Sequence, residues 1–226
     1  MYQTPIELSE FPEIFESIKN TESYKRTSRL IEQGKRVKNI VKRAGYPSGK
    51  DCNIVKGFLL DVENWKFGME GGDCKKFYRR YIESNDASFI ITSITHVHNA
   101  VRRGDSDIEV LGHLNHLKGM GSVREGNDTS GARQKLASSV LRLLYPERYG
   151  VVDWRVEAVI TGATGTNSSL RRKFDLIDAN KASDMFAYYR SLSTHVFEDT
   201  GINLLPGDIE SVLFHISLDL YPPQNA

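Results

Sequence analysis

Lys135, opening "KLASSVL", and Asp153, directly before "WRVEAVI", carry side chains that can do chemistry in a suitable environment. A neutral lysine amine is a nucleophile that can form a Schiff base with a carbonyl carbon. An exposed lysine, with a pKa near about 10.4, is almost wholly protonated, so burial or a nearby positive group must first lower it. An aspartate in a site from which water is largely excluded can stabilise positive charge that develops in a transition state. Asp153 also stands directly before "WRVEAVI", where a carboxylate caps a helix by accepting backbone N–H bonds. One oxygen can serve each role. Upstream, Gly119, Met120 and Gly121 make a Gly-x-Gly turn. Amides exposed in such a turn can cradle a phosphate and fix nucleic-acid register without reading sequence, although the same tripeptide also serves ordinary helix-helix turns.

Other chemistries find less support. His96 and His98 lie two apart and His113 and His116 three apart, with no cysteine or carboxylate cluster at ligand spacing, so no metal site is expected. Cys52 and Cys74 are too few and too far apart for a disulfide framework or a compact metal motif. No phosphate-binding loop, dinucleotide fingerprint or serine elbow is present. The 30 basic and 29 acidic residues leave a net charge of +1, so any nucleic-acid face must be local. The opening residues lack the basic and apolar pattern of a secretory signal, and no run approaches the ~20 apolar residues of a membrane span. An intracellular, cytoplasmic protein is the expectation.

The elements that must position these residues read as helices throughout, giving an all-α fold. Residues 11–44 carry apolar groups at helical spacing among many charges, and Gly34 suggests a break into two helices. A helix is conceivable in "NIVKGFLLDVENWKF", before a turn at "GMEGGD", and "CKKFYRRYIESN" has a helical apolar side. The β-branched run "ASFIITSITHVHNAVRRG" could pass for a strand, but its length and basic end favour a helix. Asp107 is then expected to cap a short helix ending near Lys118, and Thr129 or Ser130 one that carries Lys135 and ends at Tyr145-Pro146. Asp153 starts the next, "TGATGTNSSLRRK" reads as a loop, and two closing helices follow, the second introduced by Pro206-Gly207-Asp208. One helical domain over residues 1–226 is expected, or two intimate lobes: a variable helical part, 1–105, and a core with tail helices, 106–226.

The order "LNHLKGMG", "KLASSVL", "PERYGVVDWRVEAV" resembles the core of the helix-hairpin-helix DNA glycosylase superfamily. The likeness is good over residues 108 to 160, loose beyond them and almost absent in the first hundred. It implies a glycosylase-like helical array whose Gly119-Met120-Gly121 hairpin grips duplex DNA, with Lys118, Arg133 and Arg155 as further DNA contacts. Lys135 and Asp153 would be catalytic, as in the subset that excises oxidised purines and then nicks the strand. It further implies no organic cofactor, and hairpin carbonyls at residues 117–121 that hold a monovalent cation when DNA binds. The segment "SVREGNDTSGARQ", residues 122–134, departs from the superfamily pattern by separating hairpin from lysine helix. The competing expectation is a noncatalytic helix-hairpin-helix module that binds DNA or protein.

Overall fold

A computed structural model describes residues 2–43, 47–68, 81–120 and 134–222. All regular structure among them is helical: α1 (Glu10–Lys19), α2 (Glu22–Val41), α3 (Gly49–Gly68), a 3-10 turn (Tyr81–Ser84), α4 (Ala87–Arg103), α5 (Asp107–Asn115), α6 (Lys135–Leu144), α7 (Trp154–Ile160), α8 (Asn167–Phe174), α9 (Ala179–Thr200) and α10 (Pro206–Leu220). The β-branched run of residues 87–103 is thus a helix, closed by Gly104 in the left-handed region (φ 79°).

The centre of the core is α6. Every residue of α6 from Leu136 to Leu144 is buried, and α2, α3 and α5 all pack on it. A helix enclosed on all sides must satisfy its polar side chains internally. Ser138 Oγ donates to the Lys135 carbonyl and accepts the Val152 N–H at 3.0 Å, while Ser139 Oγ donates to the Lys135 carbonyl. The bond from the Val152 N–H ties the segment leading into Asp153 to the helix that begins with Lys135.

Several expected boundaries move. The break between the first two helices falls at Asn20-Thr21, where the Thr21 hydroxyl caps α2, and Gly34 lies inside α2. A β-carbon on Gly34 would stand 2.3 Å from the Leu143 carbonyl oxygen, so the glycine permits a close crossing of α2 over α6 and breaks nothing. Ser106 rather than Asp107 caps α5, in a reciprocal capping box with Glu109, and the helix stops at Asn115. Part of the expected loop at 161–173 is α8, capped by the Thr166 hydroxyl, a signal hidden among many small polar residues. Residues 69–80 and the 122–133 segment, with Thr129 and Ser130, lie outside the described residues.

Asp107 instead joins three elements. Its buried carboxylate accepts from Arg148 Nη2 at 3.1 Å and from Arg190 Nη2 of α9 at 2.8 Å. No helix among the described residues is long and apolar enough to cross a membrane.

Candidate functional site

The hairpin side of the site follows α5. The Leu117 N–H donates to the Leu114 carbonyl and the Met120 N–H to the Leu117 carbonyl; Leu117 and Met120 are buried, and Gly119 takes a left-handed φ of 89°. A residue that the sequence did not single out holds this turn. Asn85 Oδ1 accepts the Lys118 N–H at 2.9 Å and Asn85 Nδ2 donates to the Lys118 carbonyl at 3.1 Å. The amides of Leu117, Lys118 and Met120 therefore already have partners within the chain, and so does the Lys118 carbonyl. What Lys118 presents outward is its side chain. Gly121 and Arg133 lie outside the described residues.

Asp153 occupies the cap position of α7. Its backbone is extended (φ −142°, ψ 148°), and its Oδ1 accepts the Arg155 N–H at 3.0 Å, as the capping expectation requires. The carboxylate is completely buried, at 0 % exposure. Its other oxygen, Oδ2, accepts from Lys66 Nζ at 3.2 Å, and Lys66 is itself only 6 % exposed. Burial pushes the Asp153 carboxyl up, but Lys66, then Lys135, and then the Arg155 N–H pull it down further, leaving it at about 2. It is an anion at every physiological pH.

Lys135 opens α6, and its Nζ donates to Asp175 Oδ1 at 2.7 Å, just beyond α8. Its charge is felt at Asp153, but its ion pair is with Asp175. The structure therefore brings Lys135 and Asp153 into one electrostatic neighbourhood and gives each a different direct partner. Arg155 lays its guanidinium over the Trp154 ring, 4.6 Å from the centroid.

A second buried pair stands close by. Arg142, almost wholly buried in α6, donates from Nη2 to the Gly207 carbonyl at 3.0 Å and to Ser211 Oγ at 2.9 Å. Its Nε lies 3.4 Å from Glu210 Oε2. Burial raises the Glu210 carboxyl above the usual range; Arg142, Lys66 and the Val151 N–H oppose this, and Asp153 adds to it. Chain packing is tight here, since a β-carbon on Gly150 would stand 2.6 Å from Glu210 Cβ.

Above these pairs lies a cavity of about 210 Å³. Trp65, Lys66, Arg142 and Glu210, all buried, form its floor, and Tyr24 and Phe214 supply aromatic wall. Thr21, Ser23 and His215 line it from exposed positions and mark its open side. Two hydrogen bonds fix the aromatic groups: Trp65 Nε1 donates to Thr27 Oγ1 at 3.0 Å, and the Tyr24 hydroxyl donates to Asp208 Oδ1 at 2.8 Å. A small apolar chamber with convergent charged groups at one end is the general form of a ligand site.

Lys66, Arg142, Glu210 and Asn85 are absent from the residues that sequence reasoning selected. For Lys66 a signal existed: Val55, Leu59, Val62 and residue 66 share one face of α3, so the lysine takes an inward position in an otherwise apolar stripe. Arg142 likewise sits between Leu141 and Leu143 in a helix with no outward face. Among the described residues no three His, Cys, Asp or Glu side chains are grouped as metal ligands. No family model, curated protein or solved structure matches the chain.

Proposed function

We propose that this chain is a DNA repair glycosylase of helix-hairpin-helix type that removes a damaged base from duplex DNA, with strand-nicking lyase activity through a lysine Schiff base. The observation that carries the reading is Asp153, a fully buried carboxylate kept ionised by two lysines and aimed by its helix. A fixed anion of this kind favours the positively charged sugar through which a glycosidic bond breaks, because its dipolar surroundings need no reorganisation as charge develops. Enzymes that act on a base take it out of the stack into a pocket, and the aromatic-walled cavity beside Lys66 has the character such a base requires.

In this proposal Lys118, Gly119, Met120, Gly121, Arg133 and Arg155 hold the DNA backbone, an oxidised purine is the expected lesion, and Lys135 is the amine designated by the superfamily resemblance. A monovalent cation at the hairpin belongs to the same proposal; with the Lys118 carbonyl bound to Asn85, other carbonyls of residues 117–121 would have to hold it. One observation favours the noncatalytic alternative. Both Asp153 oxygens already have partners, which is what a purely structural cap and ion pair would also require.

Incubation with duplexes carrying 8-oxoguanine and other damaged bases separates the two. Excision by the wild-type protein that is lost in a folded Asp153→Asn variant supports the glycosylase. DNA binding without excision across the lesion panel, unchanged by that substitution, assigns the noncatalytic role and ends the enzymatic reading.

A further inference from the structure

The cavity and the two lysines do not stand in equivalent relation. Lys66 lines the cavity floor, whereas Lys135 is turned to Asp175. Asp153 does not line the cavity either; its Oδ1 is taken by the Arg155 N–H, and Lys66 Nζ covers Oδ2. A substrate atom in the cavity therefore meets Lys66 before it can meet Asp153. Glu210, the carboxylate of the same floor, is near enough to respond to the charge of Lys66. The floor thus carries an amine bonded to an ionised carboxylate, with a second carboxylate lining the same cavity.

Resting on the base-excision reading above, we infer that Lys66, and not Lys135, is the amine that reacts at C1′ of the damaged sugar. Asp153 holds the ammonium in place, and Glu210 takes its proton when the sugar arrives. With an abasic sugar in its open aldehyde form, the freed Nζ lone pair forms the bond to C1′. The carbonyl π pair moves to oxygen, which takes a proton from solvent and gives a carbinolamine. Nζ loses its remaining surplus proton to solvent, Glu210 returns its proton to the C1′ hydroxyl, and water leaves. The product is the protonated imine plus one water, with Glu210 ionised again and no oxidant or reductant consumed.

This assignment lies outside the segment that resembles the glycosylase core, so it makes a separable prediction. Wild-type protein is incubated with a duplex bearing one abasic site in the presence of sodium borohydride, which reduces the imine to a stable secondary amine. After digestion, mass spectrometry locates the nucleotide-bearing peptide. The expected position is Lys66; the adduct is abolished in Lys66→Arg, which keeps a cation beside Asp153, and persists in Lys135→Arg. Mapping to Lys135 or to any other lysine overturns the inference, as does an undiminished adduct in Lys66→Arg. Mapping on the wild-type protein decides the matter even where a variant fails to fold. A parallel arm measures base release from the damaged-base duplexes. Release with the adduct elsewhere, or with no adduct, overturns Lys66 and leaves the glycosylase standing; neither release nor adduct ends both.

Discussion

Asp153→Asn tests how much the buried charge pair contributes to the fold, apart from any catalysis. At neutral pH the substitution keeps the cap geometry, since an asparagine oxygen still accepts the Arg155 N–H, but removes the carboxylate charge that Lys66 Nζ bonds at 3.2 Å. The fall of the Asp153 carboxyl from its ordinary 3.8 to about 2 corresponds to roughly 2–3 kcal/mol of stability. Loss of that charge adds a desolvation cost at Lys66, and breaking buried pairs from one side typically costs about 3–5 kcal/mol. At about 2–4 °C per kcal/mol for a chain of this length, the melting temperature should fall by roughly 6–20 °C. The folded-state pKa is depressed, so this stabilisation is complete above the unfolded value near 3.8 and disappears as pH falls toward 2. Urea denaturation at pH 7 and pH 3 should show a cost that shrinks on acidification. The double variant Lys66→Met, Asp153→Asn should regain most of it, because the buried cation is removed together with the anion it bonds. A cost below about 1 kcal/mol at pH 7, or a double variant no better than the single one, refutes the reasoning.

Three further outcomes follow from the packing. Gly34→Ala, whose new methyl would collide with the Leu143 backbone oxygen, should cost about 1–3 kcal/mol in chemical denaturation, against the small gain alanine brings to an open helix site. Asn85→Ala removes both bonds to Lys118 and should cost about 1–3 kcal/mol, with hydrogen exchange at the Lys118 and Met120 amides rising well before that of α6. Glu210→Gln should show a stability cost that diminishes from pH 4 to pH 8. A carboxyl whose folded pKa is raised stabilises most while protonated, below 4.5, and loses that contribution as pH rises through the folded value. A cost that grows with pH would contradict the raised value.

What was legible in the sequence was local. Asp153 announced itself as a cap because the signal, an acidic residue before an apolar helical run, is complete within a few residues. The helix at 87–103 was legible because length and a basic end outweighed β-branched composition. Gly34 misled because a glycine has the same local meaning whether it weakens a helix or admits a neighbour, and only the Leu143 carbonyl distinguishes them. The floor of the cavity was hidden for a related reason. Periodicity turns Lys66 inward, but Lys66 meets Asp153 across 87 positions and Arg142 meets Glu210 across 68, too far along the chain for a local pattern to name the partner. Asn85 bonds Lys118 across 33, so the hairpin's support was equally out of local view.

The paired grip of Arg148 and Arg190 on Asp107 bears on the order in which the molecule is made. Its two cations arrive 41 and 83 residues after the carboxylate. A chain still on the ribosome and complete only through α5 carries Asp107 hydrated, and α5 then has its own capping box but no ionic tie to the rest. The first arginine comes with the turn after α6, the second only once α9 has emerged. Final docking of α5 therefore belongs to the later part of synthesis, and shorter nascent chains should leave it open to proteases that the finished protein resists.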